Sequence, residues 1–295
     1  MAGRTVYFLG DSVLRDLAVS FKFNRLGASS KGDEGPEEAI DERLRAKKGC
    51  RKTYNNERES ACAMTYSSSE GRFMWLQWLR APHRIPWGLA PGRGTGYQQQ
   101  EMDACCAWVA HQPNSSASAP SNSSGLRGCL AALLRGATAR DVVVMRTGLN
   151  YPLYDPGVAY ESEALRDWRA DLQGDLQDFL GEVLPAVFPG TVVLWQLDSG
   201  VGRPGVQAAC NEEGALHRLA PLLPQARALQ AAVAARHMAA GPLKGRLFTV
   251  DPSNIIASEE EMGRLYADCL HHGPALQNTL GNALLAVLLQ ARMPA

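Results

Sequence analysis

Short apolar runs alternate along this chain with longer stretches of helical periodicity, and this alternation constrains the fold more than any other feature. The apolar runs are TVYFLG, RFMWLQWL, DVVVMRTG, TVVLWQL and RLFTVD. The helical stretches include VLRDLAVSF, CLAALLRG, ESEALRDWRADLQGDLQDFLGEVL, LPQARALQAAVAARHM and ALQNTLGNALLAVLLQA. Strands that alternate with helices predict a three-layer α/β/α sandwich with a central, mostly parallel sheet and functional groups at the carboxyl ends of the strands.

Two polar segments interrupt this pattern. Residues 27–60 are charged and poor in aliphatic side chains, which predicts an inserted loop or a charged helix outside the core. Residues 112–126 are rich in Ser, Pro and Asn, and they predict a mobile loop rather than a domain boundary. A chain of 295 residues can form one large α/β domain, and we expect a single domain over 1–295.

Composition excludes several classes of function. Lys and Arg total 30 and Asp and Glu total 30, so the chain has no excess of positive charge for binding nucleic acid. Seven cysteines lack the paired CxxC spacing of a zinc site, and we expect no metal and no cofactor; their number leaves disulfides or free thiols equally open. No apolar stretch is long enough for a signal peptide or a membrane span, so membrane association is expected only through an upstream anchor.

Ser12 lies in the run FLGDSVLRDLA, where an apolar strand gives way to a helix. Gly10 permits the tight turn that presents the serine, and the N–H groups that begin the helix favour negative charge nearby. A serine hydroxyl needs a base, a group that orients the base, and donors for the developing oxyanion. Ser12 is therefore a candidate nucleophile, and the alternative is a serine that only caps the helix.

Asp268 and His271 in the run DCLHHG supply the missing base and its orienting carboxylate. Their separation of three residues lets one short turn hold both side chains on the same side, with the carboxylate fixing the imidazole tautomer. His272 is an adjacent, competing base. The alternative is an aspartate that caps the last helix beside an exposed histidine.

Gly148 and Asn150 lie just past the apolar run DVVVM, at the predicted carboxyl end of a buried strand. The Asn150 amide is a candidate second donor to the oxyanion, and the alternative is a turn residue ahead of Pro152. The candidate residues therefore occur in the order Ser, Asn, Asp, His along the chain.

Three blocks of this sequence carry a family resemblance. GDSVLR agrees with the pattern GDSxxR, DVVVMRTGLNY resembles a strand that ends in a TG or GxN block, and YADCLHHGP resembles the pattern DCxHW, with His272 in place of the Trp. In this order the chain resembles the SGNH/GDSL hydrolase superfamily and, within it, the PC-esterase group that includes the plant trichome birefringence-like polysaccharide O-acetyltransferases. The blocks extend from one end of the chain to the other.

The resemblance implies a three-layer α/β/α fold and double displacement through an acyl-serine, with acetyl as cargo and an acyl donor and a carbohydrate acceptor as partners. It assigns Ser12 as nucleophile, His271 as general base and acid, and Asp268 as its orienting residue. The oxyanion donors are the backbone N–H of Ser12 and the Asn150 amide, in the block that includes Gly148. Arg15 matches the family arginine and, with His272, is a candidate substrate contact. The resemblance also implies the Golgi or secretory pathway.

Two other functions remain open at this point. An esterase or lipase would share the first half-reaction and release the acyl group to water. A non-catalytic glycan-binding protein would keep the fold without the chemistry, and the intact Ser12, Asp268 and His271 argue against it.

Overall fold

The computed structural model describes residues 4–25, 63–68, 71–77, 138–147, 168–198, 221–254, 272 and 274–290. Within these ranges the strands are β1 (Thr5–Gly10), β2 (Ala63–Ser68), β3 (Gly71–Gln77), β4 (Val142–Arg146), β5 (Val192–Gln196) and β6 (Leu247–Val250). The helices are α1 (Ser12–Arg25), α2 (Trp168–Asp178), α3 (Leu184–Val187), α4 (Leu223–Ala239) and α5 (Pro274–Gln290). A π-helical turn, Phe179–Val183, joins α2 to α3, and a 3-10 turn, Pro252–Asn254, follows β6.

The six described strands form one sheet in the order β2-β3-β1-β4-β5-β6. β1 pairs in parallel with β3 on one side and with β4 on the other, and β5 and β6 continue the parallel arrangement. Only β2 is antiparallel, as the edge strand beside β3. The mostly parallel sheet predicted from the sequence is confirmed, and β1, which leads into Ser12, has a strand on each side.

Apolar side chains cover both faces of the sheet. On one face Tyr7, Val143 and Trp195 pack with residues of α2 and α4. On the other face Phe8 and Val144 pack with residues of α1 and α5. Successive side chains of a strand point to opposite faces, which is why runs such as VVVMR are buried throughout. Helices on both faces complete the predicted three layers.

The predicted elements agree with the structure where it describes them. Strands occur in all five predicted apolar runs, and the long amphipathic stretch after residue 160 is helical from Trp168. β2 was not predicted. The insertion at 27–60, the Ser-rich loop at 112–126 and the helix in CLAALLRG lie outside the described residues, and the single-domain assignment stays a prediction. Of the helices described, none has the length and apolar character needed to cross a bilayer.

Asp141 connects the amino ends of the two central strands. Its Oδ1 accepts a hydrogen bond from the Thr5 N–H at 2.8 Å, and its Oδ2 accepts from the N–H and hydroxyl of Thr138 at 2.6 and 3.1 Å. These bonds set β1 against β4 in the register that pairs Val6 with Val142. The same register pairs Gly10 with Arg146 at the carboxyl ends, where the candidate site lies.

Gly10 lies where β1, α1 and β4 are in close contact. A Cβ built on Gly10 would lie 2.7 Å from Leu14 Cδ2 and 2.8 Å from the carbonyl oxygen of Arg146. The carbonyl belongs to a paired strand and cannot move aside without disturbing the sheet. Glycine is therefore required by the space available, and it allows α1 to begin two residues later against the strand ends.

Gly10→Ala is expected to lower the free energy of unfolding by about 1–3 kcal/mol, as overpacking does in a closely packed interior. Urea denaturation measures the change. The matched control is Gly281→Ala in α5, where an added Cβ would meet nothing within 4 Å. That variant is expected to be unchanged or up to about 1 kcal/mol more stable, because alanine favours a helix. Equal effects of the two substitutions would contradict the close approach at Gly10.

Candidate functional site

One residue, Asp11, connects β1 to α1 in the turn that carries Ser12. β1 ends at Gly10, Asp11 forms the bend, and Ser12 is the first residue of α1. Because β1 is flanked by β3 and β4, this turn lies at the middle of the carboxyl edge of the described sheet. Open α/β sheets bind their ligands at this edge. The structure therefore places the backbone of the predicted nucleophile where the fold presents functional groups.

Asp11 caps α1. Its side-chain Oδ1 accepts hydrogen bonds from the N–H groups of Val13 at 3.0 Å and Leu14 at 3.2 Å. Its backbone carbonyl accepts from the N–H of Arg15 at 3.0 Å. A capping aspartate satisfies N–H groups that the helix itself cannot, and its charge complements the helix dipole. The capping role considered for Ser12 from the sequence therefore belongs to Asp11.

Arg146, the last residue of β4, ion-pairs with two carboxylates. Its Nη1 binds Asp11 Oδ2, and its Nη2 lies 3.1 Å from Asp198 Oδ1. All three side chains are at most 3% exposed. Desolvating a buried charge costs several kcal/mol, and the attraction between these opposite charges offsets part of that cost. The arginine thus joins the Ser12 turn to the residue that follows β5 by two positions.

Gln230 completes this arrangement from α4. Its Nε2 donates to the carbonyl of Thr147 at 2.5 Å and to Asp198 Oδ2 at 2.8 Å. Its Oε1 accepts from the N–H of Asp198 at 3.1 Å. We call the four residues Asp11, Arg146, Asp198 and Gln230 the buried charge chain. It crosses the carboxyl ends of β1, β4 and β5.

Asp198 has a raised pKa in this buried environment. Burial raises the pKa of this carboxyl from 3.8 to about 6. Arg146 opposes the rise most strongly, while the charge of Asp11 adds to it; Gln230 and Arg227 lower the pKa. Arg146 also pairs with Asp11, and its charge offsets only part of the effect of burial on the pKa of Asp198. Asp198 therefore gains and loses its proton closer to neutral pH than an exposed aspartate does.

The raised pKa predicts how stability depends on pH. The folded protein holds the Asp198 proton up to about pH 6, and the unfolded chain releases it near pH 4. Between those values the folded state binds more protons, so the contribution of Asp198 to stability is largest at low pH and falls as pH rises. The loss is up to about 3 kcal/mol. We expect the free energy of unfolding of wild type, minus that of Asp198→Asn, to decrease over this window in urea titrations. A constant difference would contradict the raised pKa.

Gln196, the last residue of β5, is a buried amide beside the charge chain. It is 1% exposed, and neither its Oε1 nor its Nε2 has a hydrogen-bond partner among the residues that the structure describes. β4 and β5 pair in parallel up to Met145 and Trp195, so Gln196 continues the register next to Arg146. Buried polar groups without partners are uncommon and concentrate at functional sites. This end of the described sheet thus holds a buried amide beside buried charges.

The structure describes some of the predicted site residues. Ser12 is placed by its backbone at the start of α1. The guanidinium of Arg15 lies 3.1 Å from the carboxylate of its neighbour Asp16, partly exposed. His272 is 1% exposed, and its carbonyl accepts a hydrogen bond from Gln277 Nε2 at 2.6 Å. The other predicted site residues, Gly148, Asn150, Asp268 and His271, lie outside the described residues, and their roles stay predictions.

Sequence reasoning missed the buried charge chain. Arg146 and Asp198 each follow an apolar run, VVVM and VVLWQL, and a charge at the end of a buried strand is a signal that could have been used. Asp11 lies in the GDS motif, which gives no sign of its contact with Arg146. Gln230 carries no local signal, because it lies within an Ala-rich helix and is buried by contacts with distant strands. In the described part of the chain no group of three His, Cys, Asp or Glu side chains could hold a metal ion.

Comparisons with known proteins find structural likeness at a low level. No family model matches the chain, and no curated protein matches it in sequence. Among solved structures, an aryl esterase of M. smegmatis is 13% identical, with 98% of this chain and 100% of that chain covered and a TM-score of 0.40. A carbohydrate acetylesterase from Sinorhizobium meliloti is 12% identical, with 97% and 99% covered and a TM-score of 0.40.

A third solved structure is a peptidoglycan O-acetylesterase, 13% identical, with a TM-score of 0.37. The match covers 56% of this chain and only 41% of that chain. Proteins at this distance can differ in chemistry even where the architecture is alike. The architecture of this chain therefore stands on its own strands and helices, and the roles of its residues stand on their own contacts.

Proposed function

We propose that this chain is an enzyme of the SGNH hydrolase type, similar to its PC-esterase group, that transfers an acetyl group to a carbohydrate hydroxyl through an acyl-serine at Ser12. The observation that carries the proposal is the Ser12 turn. It begins a 14-residue helix directly after the central strand, at the carboxyl edge, on a glycine that the packing requires. A nucleophile in this position combines a sharp turn with the positive end of a helix dipole.

The capping by Asp11 supports one oxyanion donor in particular. Asp11 occupies the N–H groups of Val13, Leu14 and Arg15. Among the first four N–H groups of α1, that of Ser12 is therefore the candidate donor to an oxyanion. A backbone N–H fixed by the helix is preorganised, so it stabilises developing charge without having to reorient during the reaction.

The positions of described neighbours support the remaining roles. Gly10 pairs with Arg146, and Asn150 follows Arg146 by four residues, a length of chain that spans at most about 14 Å. His271 is bonded to His272, which is tied to Gln277 of α5, and α5 packs with α1 on the same face of the sheet. Asn150 therefore follows the strand that pairs with β1, and His271 precedes a helix that packs with α1, which supports their proposed roles.

The proposed reaction has two halves. Ser12 Oγ attacks the acetyl carbonyl carbon while His271, oriented by Asp268, takes the hydroxyl proton, and the donor's alcohol leaves with that proton. His271 then removes a proton from a carbohydrate hydroxyl, which attacks the acetyl-serine and frees Ser12. Water in place of the sugar would give an esterase. The two outcomes share the acyl-serine and differ only in the acceptor that reaches it.

The experiment that tests the proposal is turnover of p-nitrophenyl acetate by wild type and Ser12→Ala, with and without a panel of cell-wall oligosaccharides. Mass spectrometry follows the acetyl group. The proposal expects an acetylated peptide that contains Ser12 and an acetylated sugar. Ser12-dependent release of acetate alone would indicate an esterase, and turnover that survives in Ser12→Ala would overturn the role of Ser12.

A further inference from the structure

Gln230 is a buried amide of α4 whose side chain bonds to residues at the carboxyl ends of β4 and β5. It is 0% exposed, and within the described residues its side chain donates to Thr147 and Asp198 and accepts from the N–H of Asp198. α4 packs on one face of the sheet, with α2, whereas α1 packs on the other. Gln230 therefore reaches the strand ends from the side opposite to the helix that begins at Ser12.

The contacts continue from Gln230 to the Ser12 turn without a gap. The two oxygens of Asp198 are divided, since Oδ2 accepts from Gln230 and Oδ1 faces Arg146 at 3.1 Å. Arg146 divides its guanidinium between Asp198 and Asp11. Asp11 Oδ1 in turn fixes the N–H groups of Val13 and Leu14. A shift of Asp198 thus changes how Arg146 holds the residue immediately before Ser12.

An arrangement of this kind is poorly explained by stability alone. An apolar side chain of similar size can stabilise an interior as well as a buried ion pair does, whereas a buried ion pair fixes geometry through directional contacts. Here the directional contacts end on the turn of the proposed nucleophile. An error of about 1 Å in the position of a reacting group can cost on the order of 100-fold in rate.

Resting on the proposed function, we infer that Gln230 is a positioning residue for Ser12, acting from α4 through Asp198, Arg146 and Asp11. Gln230 touches neither substrate nor reacting atoms in this scheme. It sets the position of Asp198, which sets the division of Arg146 between the two carboxylates. The Ser12 turn is thereby held by helices on both faces of the sheet.

The first test is Gln230→Met, which keeps the length of the side chain and removes the amide. The matched control is Gln225→Met on the same helix, because Gln225 is exposed and its side chain bonds to Arg169 and the Pro221 carbonyl, away from the strand ends. Amide hydrogen exchange is compared at one pH for Val13 and Leu14, with Val193 as the reference. We expect exchange at Val13 and Leu14, relative to Val193, to rise by about tenfold or more in Gln230→Met and to stay within about twofold in Gln225→Met.

The kinetic test separates positioning from a general loss of structure. Gln230→Met is expected to lower kcat for p-nitrophenyl acetate by about tenfold or more and to leave KM within about twofold. The substitution changes the position of the Ser12 turn and leaves the residues that contact the substrate unchanged. If Gln230→Met does not fold, Gln230→Asn replaces it, because that amide is one methylene too short to keep its contacts with both Thr147 and Asp198.

The outcomes distinguish this inference from the proposed function. Turnover that is equal in wild type and Ser12→Ala would remove the proposed function, and the exchange at Val13 and Leu14 would still decide whether Gln230 controls the turn. Ser12-dependent turnover with exchange and kcat unchanged in the Gln230 variant that folds would overturn the inference alone. Uniformly faster exchange, with Val193 affected as much as Val13 and Leu14, would also overturn it, because Gln230 would then only support the fold.

Discussion

Ser12→Ala is expected to lower kcat/KM for p-nitrophenyl acetate by about 10³-fold or more. Without the hydroxyl no acyl-serine forms, and the remaining rate reflects only binding and the oxyanion donors. The change removes one oxygen atom and leaves the cap of α1 intact, because Asp11 supplies that cap. The free energy of unfolding is therefore expected to change by less than about 0.5 kcal/mol.

The matched control is Ser20→Ala on the same helix. Ser20 lies two turns further along α1, where its hydroxyl donates to Asn278 Oδ1 at 3.4 Å near the protein surface. Its activity is expected to remain within about twofold of wild type, since it is remote from the carboxyl edge. A similar small loss of activity in both serine variants would mean that Ser12 is an ordinary residue of the helix start. That result would favour the non-catalytic glycan-binding alternative.

Much of the fold was predictable because its signals are local. β4 and β5 are continuous apolar runs, as strands covered on both faces must be, and the helices between strands show helical periodicity. β2 has no such signal. Its sequence, AMTYSS, is short and contains four polar side chains, and an edge strand with one neighbour does not need an apolar run. Its pairing with β3 is a tertiary fact that the local pattern does not carry.

The candidate site was predictable only where a motif marks it. The Ser12 turn follows from the apolar run, the glycine and the helix that come together in FLGDSVLRDLA. The contacts of Arg146 with Asp11 and Asp198 join residues 135 and 52 positions apart, since 146 − 11 is 135 and 198 − 146 is 52. No periodicity indicates which carboxylate a buried arginine will meet. Sequence therefore identifies the turn, and only the packed sheet shows what holds it.

The carboxyl ends of β4 and β5 carry buried polar residues that serve stability poorly. The core on both faces is mainly aliphatic and aromatic, and Arg146, Asp198 and Gln196 add buried charges and a buried amide at the carboxyl edge. Among the described residues the amide of Gln196 has no hydrogen-bond partner, which lowers stability. Natural sequences depart from a purely apolar interior mainly where function requires it. The departure here coincides with the edge on which Ser12 lies.

Arg146→Met is expected to lower the free energy of unfolding by about 3–5 kcal/mol, which is the usual cost of leaving buried charges without their partner. Removal of the guanidinium leaves Asp11 and Asp198 buried without the cation that both of them face. Urea denaturation at pH 7 measures the loss. The matched control is Arg140→Met, two residues before β4, where the side chain is exposed and the change is expected to stay within about 0.5 kcal/mol.

A double variant decides whether the loss arises from charge. If the cost of Arg146→Met is the burial of two carboxylates without their cation, then Asp198→Asn removes one of them and should relieve part of that cost. The double variant is then expected to be less destabilised than the sum of the single variants by about 1 kcal/mol or more. If the effects simply add, the arginine matters through the volume that it fills, and the link from Gln230 to the Ser12 turn loses its central element. If Arg146→Met is no worse than Arg140→Met, the ion pairs do not stabilise the fold, and the turn must be held by the Asp11 cap and the close packing of Gly10.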